Sequence, residues 1–334
     1  MSSYLAQPFK PLFRLVLSSL FAGLIGCTAA HSATDYSGEE MPYEAFKELG
    51  TTDIKLDDGS LVHVAFAPGQ MTLSHEQLLD WVKRSAHAVM TYYGHFPVKS
   101  VELLLVPHFG DAGVQGGATY GHEGPAMRVY VGALSTPDDL TKDWVMVHEM
   151  IHLAFPRLDH RHAWLHEGIS VYVESIARVQ AGDLPAEQVW ADFVRAMPKG
   201  LPQAGDQGFD NTDSWGRTYW GGAMFCLMAD IAIRKATANK AGLQDALRGV
   251  QAAGGNFGVE WPITDAISVA DKAIALDTLE KMYAEMKDKP VKPDLAAIFK
   301  SLGVVSDAPK KVHFDDTAEL SAIRRAITEK RVFN

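Results

Sequence analysis

The sequence predicts an α+β fold, with a small β-sheet and its helices first and a mostly helical C-terminal lobe after. Two patterns carry this reading. Short runs of β-branched and apolar residues, bounded by turn residues, occur at 61–66, 101–106 and 127–131. From residue 136 onward, longer apolar segments are bounded by capping residues, prolines and glycines in the manner of helices. With 334 residues the chain has room for one large or two medium domains and a substantial core. A net charge of −10 argues against a nucleic-acid partner.

Residues 1–27 read as an export signal. Lys10 and Arg14 supply the positive start, and residues 15–26 an apolar run short for a transmembrane helix. Leu24-Ile25-Gly26-Cys27 resembles the bacterial lipobox, in which Cys27 is lipidated and becomes the mature N-terminus. Ordinary cleavage near Ala30-His31-Ser32-Ala33 is the alternative. Either route exports the protein, to the periplasm or as an outer-membrane-anchored lipoprotein, with membrane contact only through the N-terminal lipid. Loss of residues 1–26 removes two positive charges and no acids, taking the charge from −10 to about −12. Acylated Cys27 leaves Cys226 alone, so no internal disulfide forms. Cys226 lies in an apolar helical run and reads as a small core residue.

Residues 28–52 read as a tether, 53–235 as the principal domain and 236–334 as the helical lobe. Residues 61–66 form a strand, with His63 on its wet face. Ser74 caps a helix, and Gln77 is placed to complete a capping box. Its apolar face is Leu78, Val82, Ala86, Val89 and Tyr93, and Gly94 ends it. Residues 101–106 form a largely buried strand. Between it and the strand at 127–131, residues 108–126 hold six glycines. So long a loop is a functional candidate. No Gly-Lys-Ser/Thr follows, so it is not a phosphate loop. His122 is a candidate polar donor there.

The next element is Asp143-Trp144-Val145-Met146-Val147-His148-Glu149-Met150-Ile151-His152. Thr136 as cap, Pro137 at the first position, and Asp138 and Asp139 in the first turn predict one helix from there to Pro156. Positions i and i+4 share a helical face, so His148 and His152 can aim both imidazoles at one metal ion. Glu149 lies about 100° round the helix, beside the metal, where a carboxylate can take a proton from water.

A second motif follows in Trp164-Leu165-His166-Glu167-Gly168-Ile169-Ser170-Val171-Tyr172-Val173-Glu174. Trp-Leu-x-Glu-Gly after His-Glu-x-x-His resembles the gluzincin metallopeptidases, most closely the branch of aminopeptidase N and the glycyl aminopeptidases. The resemblance spans residues 100 to 240 and implies a thermolysin-like zincin fold holding one Zn2+ per chain. It makes Glu167 the third zinc ligand; Glu174, two turns on, is the alternative ligand or a supporting residue. Tyr219, in Arg217-Thr218-Tyr219-Trp220-Gly221-Gly222-Ala223, matches the family tyrosine that stabilises the tetrahedral intermediate. Residues 116–121 match the family's substrate-binding edge strand, with a plain glycine-rich hairpin as the alternative.

Three departures stand out. Fourteen residues separate His152 from Glu167, fewer than in the aminopeptidases. Gly221 occupies the place of the family lysine. No Gly-x-Met-Glu-Asn segment, which binds a free amino group in aminopeptidases, is present. His160, His162 and His166 crowd a turn that reads as solvated, at the mouth of the site, rather than as a second metal site.

The remaining helices are expected at 164–180, 186–197, 215–235, 241–252, 264–288, 293–302 and 319–329, with a loop at 200–213. The expected function is a zinc-dependent metallopeptidase acting on peptide or protein substrates in the bacterial cell envelope, with Glu149 as general base. The alternatives are a catalytically inactive or structural zincin-fold binding module of the envelope and a metal hydrolase for a non-peptide amide.

Overall fold

A five-stranded mixed sheet organises the first part of the chain. The computed structural model describes residues 36, 38, 40–308 and 310–331. The export-signal reading of residues 1–27, with Cys27, lies outside them. In chain order the first elements are α1 (Ala45–Leu49), β1 (Thr52–Lys55), β2 (Leu61–Phe66), α2 (His75–Tyr93), β3 (Ser100–His108), β4 (Val114–Tyr120) and β5 (Ala126–Gly132). The strands lie in the order β1-β2-β3-β5-β4. Strands β2, β3 and β5 are parallel, while β1 and β4 run antiparallel on the two edges.

Both faces of the sheet are covered, as side-chain alternation along β3 shows. Leu103 and Leu105 pack in the main core with Leu78, Val82 and Val89 of α2. Leu104 and Val106 pack on the other face with Ala45 and Phe46 of α1. The end of the segment expected as a tether therefore folds, because the second sheet face needs a cover. At the start of α2 the Gln77 amide donates to Ser74 Oγ at 3.3 Å and the Ser74 amide to Gln77 Oε1 at 2.9 Å, which is the expected capping box. Gly94 ends the helix at φ 86°.

The single helix expected from Thr136 to Pro156 is two, α3 (Pro137–Lys142) and α4 (Val145–His152). Asp143 breaks it. Its backbone is extended, and its carboxylate accepts from the amides of Val145 (2.9 Å) and Met146 (3.1 Å) and from Trp81 Nε1 (3.2 Å). An aspartate that satisfies the free amides of a new first turn competes with continuation of the old helix.

There follow α5 (Ala163–Ala181), α6 (Ala186–Ala196), a π-helical turn at Gly216–Gly221 that runs into α7 (Gly222–Ala236), and α8 (Leu243–Ala252). The helix expected at 264–288 is α9 (Ile263–Ala273) and α10 (Thr278–Met286). The break repeats the Asp143 device: the Asp271 carboxylate accepts from the amides of Leu279 (3.0 Å) and Glu280 (2.8 Å). The chain continues through α11 (Leu295–Ser301), β6 (Val304–Ala308), β7 (Lys311–Phe314) and α12 (Ser321–Thr328). The hairpin β6–β7 is absent from the sequence reading of this lobe. Leu247, Ile267, Phe299 and Ile327 belong to the same buried cluster as Val62 and Leu103, so the lobe shares the core of the sheet-bearing part. Among the described residues no helix is long and apolar enough to cross a membrane.

Candidate metal centre and active site

All eight residues of α4 are buried, because the helix lies among α2, α5 and β4. His148, Glu149 and His152 are therefore buried polar groups, which are costly unless partnered. Their partners come from the second motif. Glu167 Oε2 stands 3.2 Å from His148 Nε2 and 3.5 Å from His152 Nε2. One atom from each of the three residues lies within 4.8 Å of the others, and together they form a group that can hold a metal ion. A tetrahedral zinc site with bonds of about 2.0–2.1 Å separates neighbouring ligand atoms by about 3.3 Å. The two spacings to Glu167 Oε2 fit. Burial works to raise the Glu167 carboxyl, but His152 and His148 outweigh it and hold it well below the usual range. The short spacer after His152 is no obstacle, since Glu167 lies in the second turn of α5.

Glu174 is not in this group. Its carboxylate meets Arg178 at 3.5 Å, and burial, which Arg178 only partly offsets, pushes it up to about 7. His122 is exposed in the turn between β4 and β5 and also stands outside the group.

Glu149 points to the edge strand. Thr119 Oγ1 lies 2.8 Å from Glu149 Oε2 and 3.0 Å from its carbonyl oxygen. A Cβ on Gly117 would lie 2.7 Å from Glu149 Cγ, so only glycine lets β4 come this close. Residues 117 and 119 face the same side of a strand, which is why one is bare and the other polar. The stretch 116–121 includes Thr119, but only its glycines stand out in the sequence; the period of two from Gly117 is the signal that sets Thr119 beside it.

Tyr219 arrives from the π-helical turn, a form that recurs at functional sites. Its ring stacks on His148, with centroids 6.4 Å apart and planes 17° from parallel. Burial, with the Glu167 and Glu149 carboxylates nearby, raises its hydroxyl pKa, so the group stays protonated and able to donate. Two close approaches fix the turn. A Cβ on Gly168 of α5 would lie 2.4 Å from Gly222 Cα, so the helix backbones touch. Buried Arg217 donates to Asp206 Oδ2 at 2.8 Å and to the Gly200 carbonyl at 3.1 Å.

The histidine-rich turn differs from expectation. His160 is exposed, but His162 is only 3% exposed and pairs with Asp210 at 3.0 Å. Asp210 also accepts from Trp164 Nε1 (3.0 Å) and the Tyr283 hydroxyl (2.6 Å). His166 stacks on His152, and their Nδ1 atoms are 2.7 Å apart. Burial, with His152 beside it, lowers its pKa to about 3, so it is neutral. Ser170 Oγ completes the surroundings of His152 Nδ1 at 3.0 Å. A histidine ligand held at its second nitrogen keeps its tautomer and orientation. Cys226 is buried and free, as expected of a core residue.

No protein-family model and no curated protein matches this chain. Solved structures do match in fold. An aminopeptidase N family protein from Idiomarina loihiensis superposes with a TM-score of 0.58 at 12% identity, over 76% of this chain and 49% of that one. An M1 zinc metallopeptidase from Deinococcus radiodurans gives a TM-score of 0.47 at 15% identity, over 72% of this chain and 52% of that one. The chain thus spans about half the length of the solved structures it matches. Its α+β fold is similar to that of the aminopeptidase N family protein.

Proposed function

We propose that this chain is a zinc metallopeptidase that hydrolyses peptide bonds in the bacterial cell envelope, with Glu149 as general base. The observation that carries the reading is the convergence of His148 Nε2, His152 Nε2 and Glu167 Oε2 beside a buried carboxylate that is not itself a ligand. A structural zinc site usually takes four protein ligands and needs no base. His148, His152 and Glu167 would hold the ion, which supplies a Lewis acid with an open fourth position.

The remaining chemistry belongs to the chain. Glu149, oriented through Oε2 by Thr119, takes the proton of the attacking water and passes it to the leaving nitrogen. The Tyr219 hydroxyl donates to the carbonyl oxygen as negative charge develops on it. The free edge of β4 receives the substrate backbone by strand addition, and the glycines at 116 and 117 leave room for it. Among the described residues β4 carries no carboxylate to bind a free amino terminus, which favours cleavage within a chain. The envelope location rests on the signal-like residues 1–27 and the lipobox-like stretch that ends at Cys27.

The test is cleavage of a mixed peptide library by zinc-loaded wild type and Glu149→Gln. The expected result is zinc in both, with turnover lower by about 10³-fold in the variant. Equal cleavage by both would remove Glu149 as base. Bound zinc with no cleavage by either would overturn the peptidase reading.

A further inference from the structure

Trp81, Trp164 and Trp190 are at most 2% exposed, whereas Trp144 and Trp215 are 45% and 48% exposed. Covering an open indole with apolar ligand surface is favourable. Both stand one ring away from the candidate active site. Trp144 lies one turn before His148, whose amide donates to the Trp144 carbonyl at 3.0 Å. Its indole meets the His148 ring edge to face, with centroids 5.4 Å apart. Trp215 lies one turn before Tyr219 and stacks on it, with centroids 5.9 Å apart. Since His148 and Tyr219 stack on each other, the four rings form a continuous array: Trp144, His148, Tyr219, Trp215. The inner two serve the reacting carbonyl in the reading above, and the outer two are open to solvent.

The spacing says what reaches the outer rings. Two residues of extended chain span about 7 Å, slightly more than either outer contact. A peptide with its scissile carbonyl beside His148 and Tyr219 therefore has side chains within two residues of that bond in reach of Trp144 and Trp215. Indole surfaces recognise aromatic and large aliphatic groups.

We propose that Trp144 and Trp215 form subsites on either side of the scissile bond that take bulky apolar, above all aromatic, side chains. This rests on the zinc-peptidase reading and names its substrate class. Lys199 Nζ, 5.6 Å from the centre of the Trp215 ring, holds that indole in place by a cation–π contact.

The experiment uses end-blocked peptides of one alanine-rich sequence, with phenylalanine or alanine flanking a single cleavable bond. kcat/KM is measured for the zinc-loaded wild type, Trp144→Ala and Trp215→Ala. Binding of the same peptides is followed by tryptophan fluorescence in Glu149→Gln, which needs no turnover and no change at either indole. The expected preference for the phenylalanine peptide is about tenfold in the wild type, with matching fluorescence quenching in Glu149→Gln. Each tryptophan substitution removes one subsite and lowers the ratio to about threefold. The proposal is overturned if the wild type treats both peptides alike, if both variants keep the wild-type ratio, or if neither peptide is bound or cleaved. Selective binding of the phenylalanine peptide with quenching, but no cleavage, would uphold the subsites and overturn the peptidase reading instead.

Discussion

On α5, Glu167 and Tyr172 stand little more than one turn apart, yet two carboxylates there, half-buried Glu167 and buried Asp230, are satisfied in different ways. Asp230, which faces Tyr172, has a donor for each oxygen: Arg234 Nε at 2.8 Å and the Leu243 amide at 2.9 Å on Oδ1, and the Tyr172 hydroxyl at 2.9 Å on Oδ2. Glu167 faces two imidazole nitrogens, each of which donates or accepts according to its tautomer. The first cluster closes on itself and ties α5, α7 and α8 together. The second brings three metal-ligating atoms around one point with no guanidinium or backbone amide among the described residues to close it, and so suits a metal ion. Burial alone does not mark a site; the balance of donors against acceptors does.

The comparison is broken most forcefully at Asp230. Asp230→Ala leaves Arg234 buried without its partner and should cost about 3–5 kcal/mol in urea unfolding, while zinc stoichiometry in the folded protein stays that of the wild type. Loss of zinc from a folded variant would show that the two clusters are one unit.

Glu174 gives the next effect. Its carboxyl is raised in the folded state from an ordinary value of 4.5 to about 7. The stability tied to its protonated form is complete below pH 4.5 and lost as pH rises through 7. Relative to the wild type, Glu174→Gln should therefore gain stability across that interval, by about 3 kcal/mol at most. Urea midpoints at pH 4.5, 6 and 8 measure it, and a constant difference across pH would contradict it.

In the proposed mechanism Tyr219→Phe removes a donor that matters only as charge develops. We expect kcat about 100-fold lower with zinc affinity unchanged, read by steady-state kinetics and chelator competition. Smallest is Thr119→Val, which frees one oxygen of Glu149. It should lower kcat about tenfold and leave KM near the wild-type value.

Much of the metal group was legible because it is local. His148 and His152 are one helical turn apart in any α-helix, and Ser74 and Gln77 announce a capping box within four residues. Glu167 was read from resemblance, since nothing in its own neighbourhood says which residues it will face. What escaped depends on partners distant in sequence. Asp143 ends one helix and starts another with the help of Trp81, 62 positions away. Thr119 meets Glu149 across 30 positions. His166 reads as a surface residue until α5 is laid against His152. Strands β1 and β6 escaped because they are short and mostly exposed, so their side chains carry no alternating apolar pattern.

The most direct test of the central claim is zinc stoichiometry and affinity for the wild type, Glu167→Gln and Glu174→Gln. The account predicts one zinc per chain in the wild type and in Glu174→Gln, with binding to Glu167→Gln weaker by at least about 100-fold. A wild-type chain without zinc affinity would contradict it. So would a Glu167→Gln variant that binds as the wild type does while Glu174→Gln loses the metal.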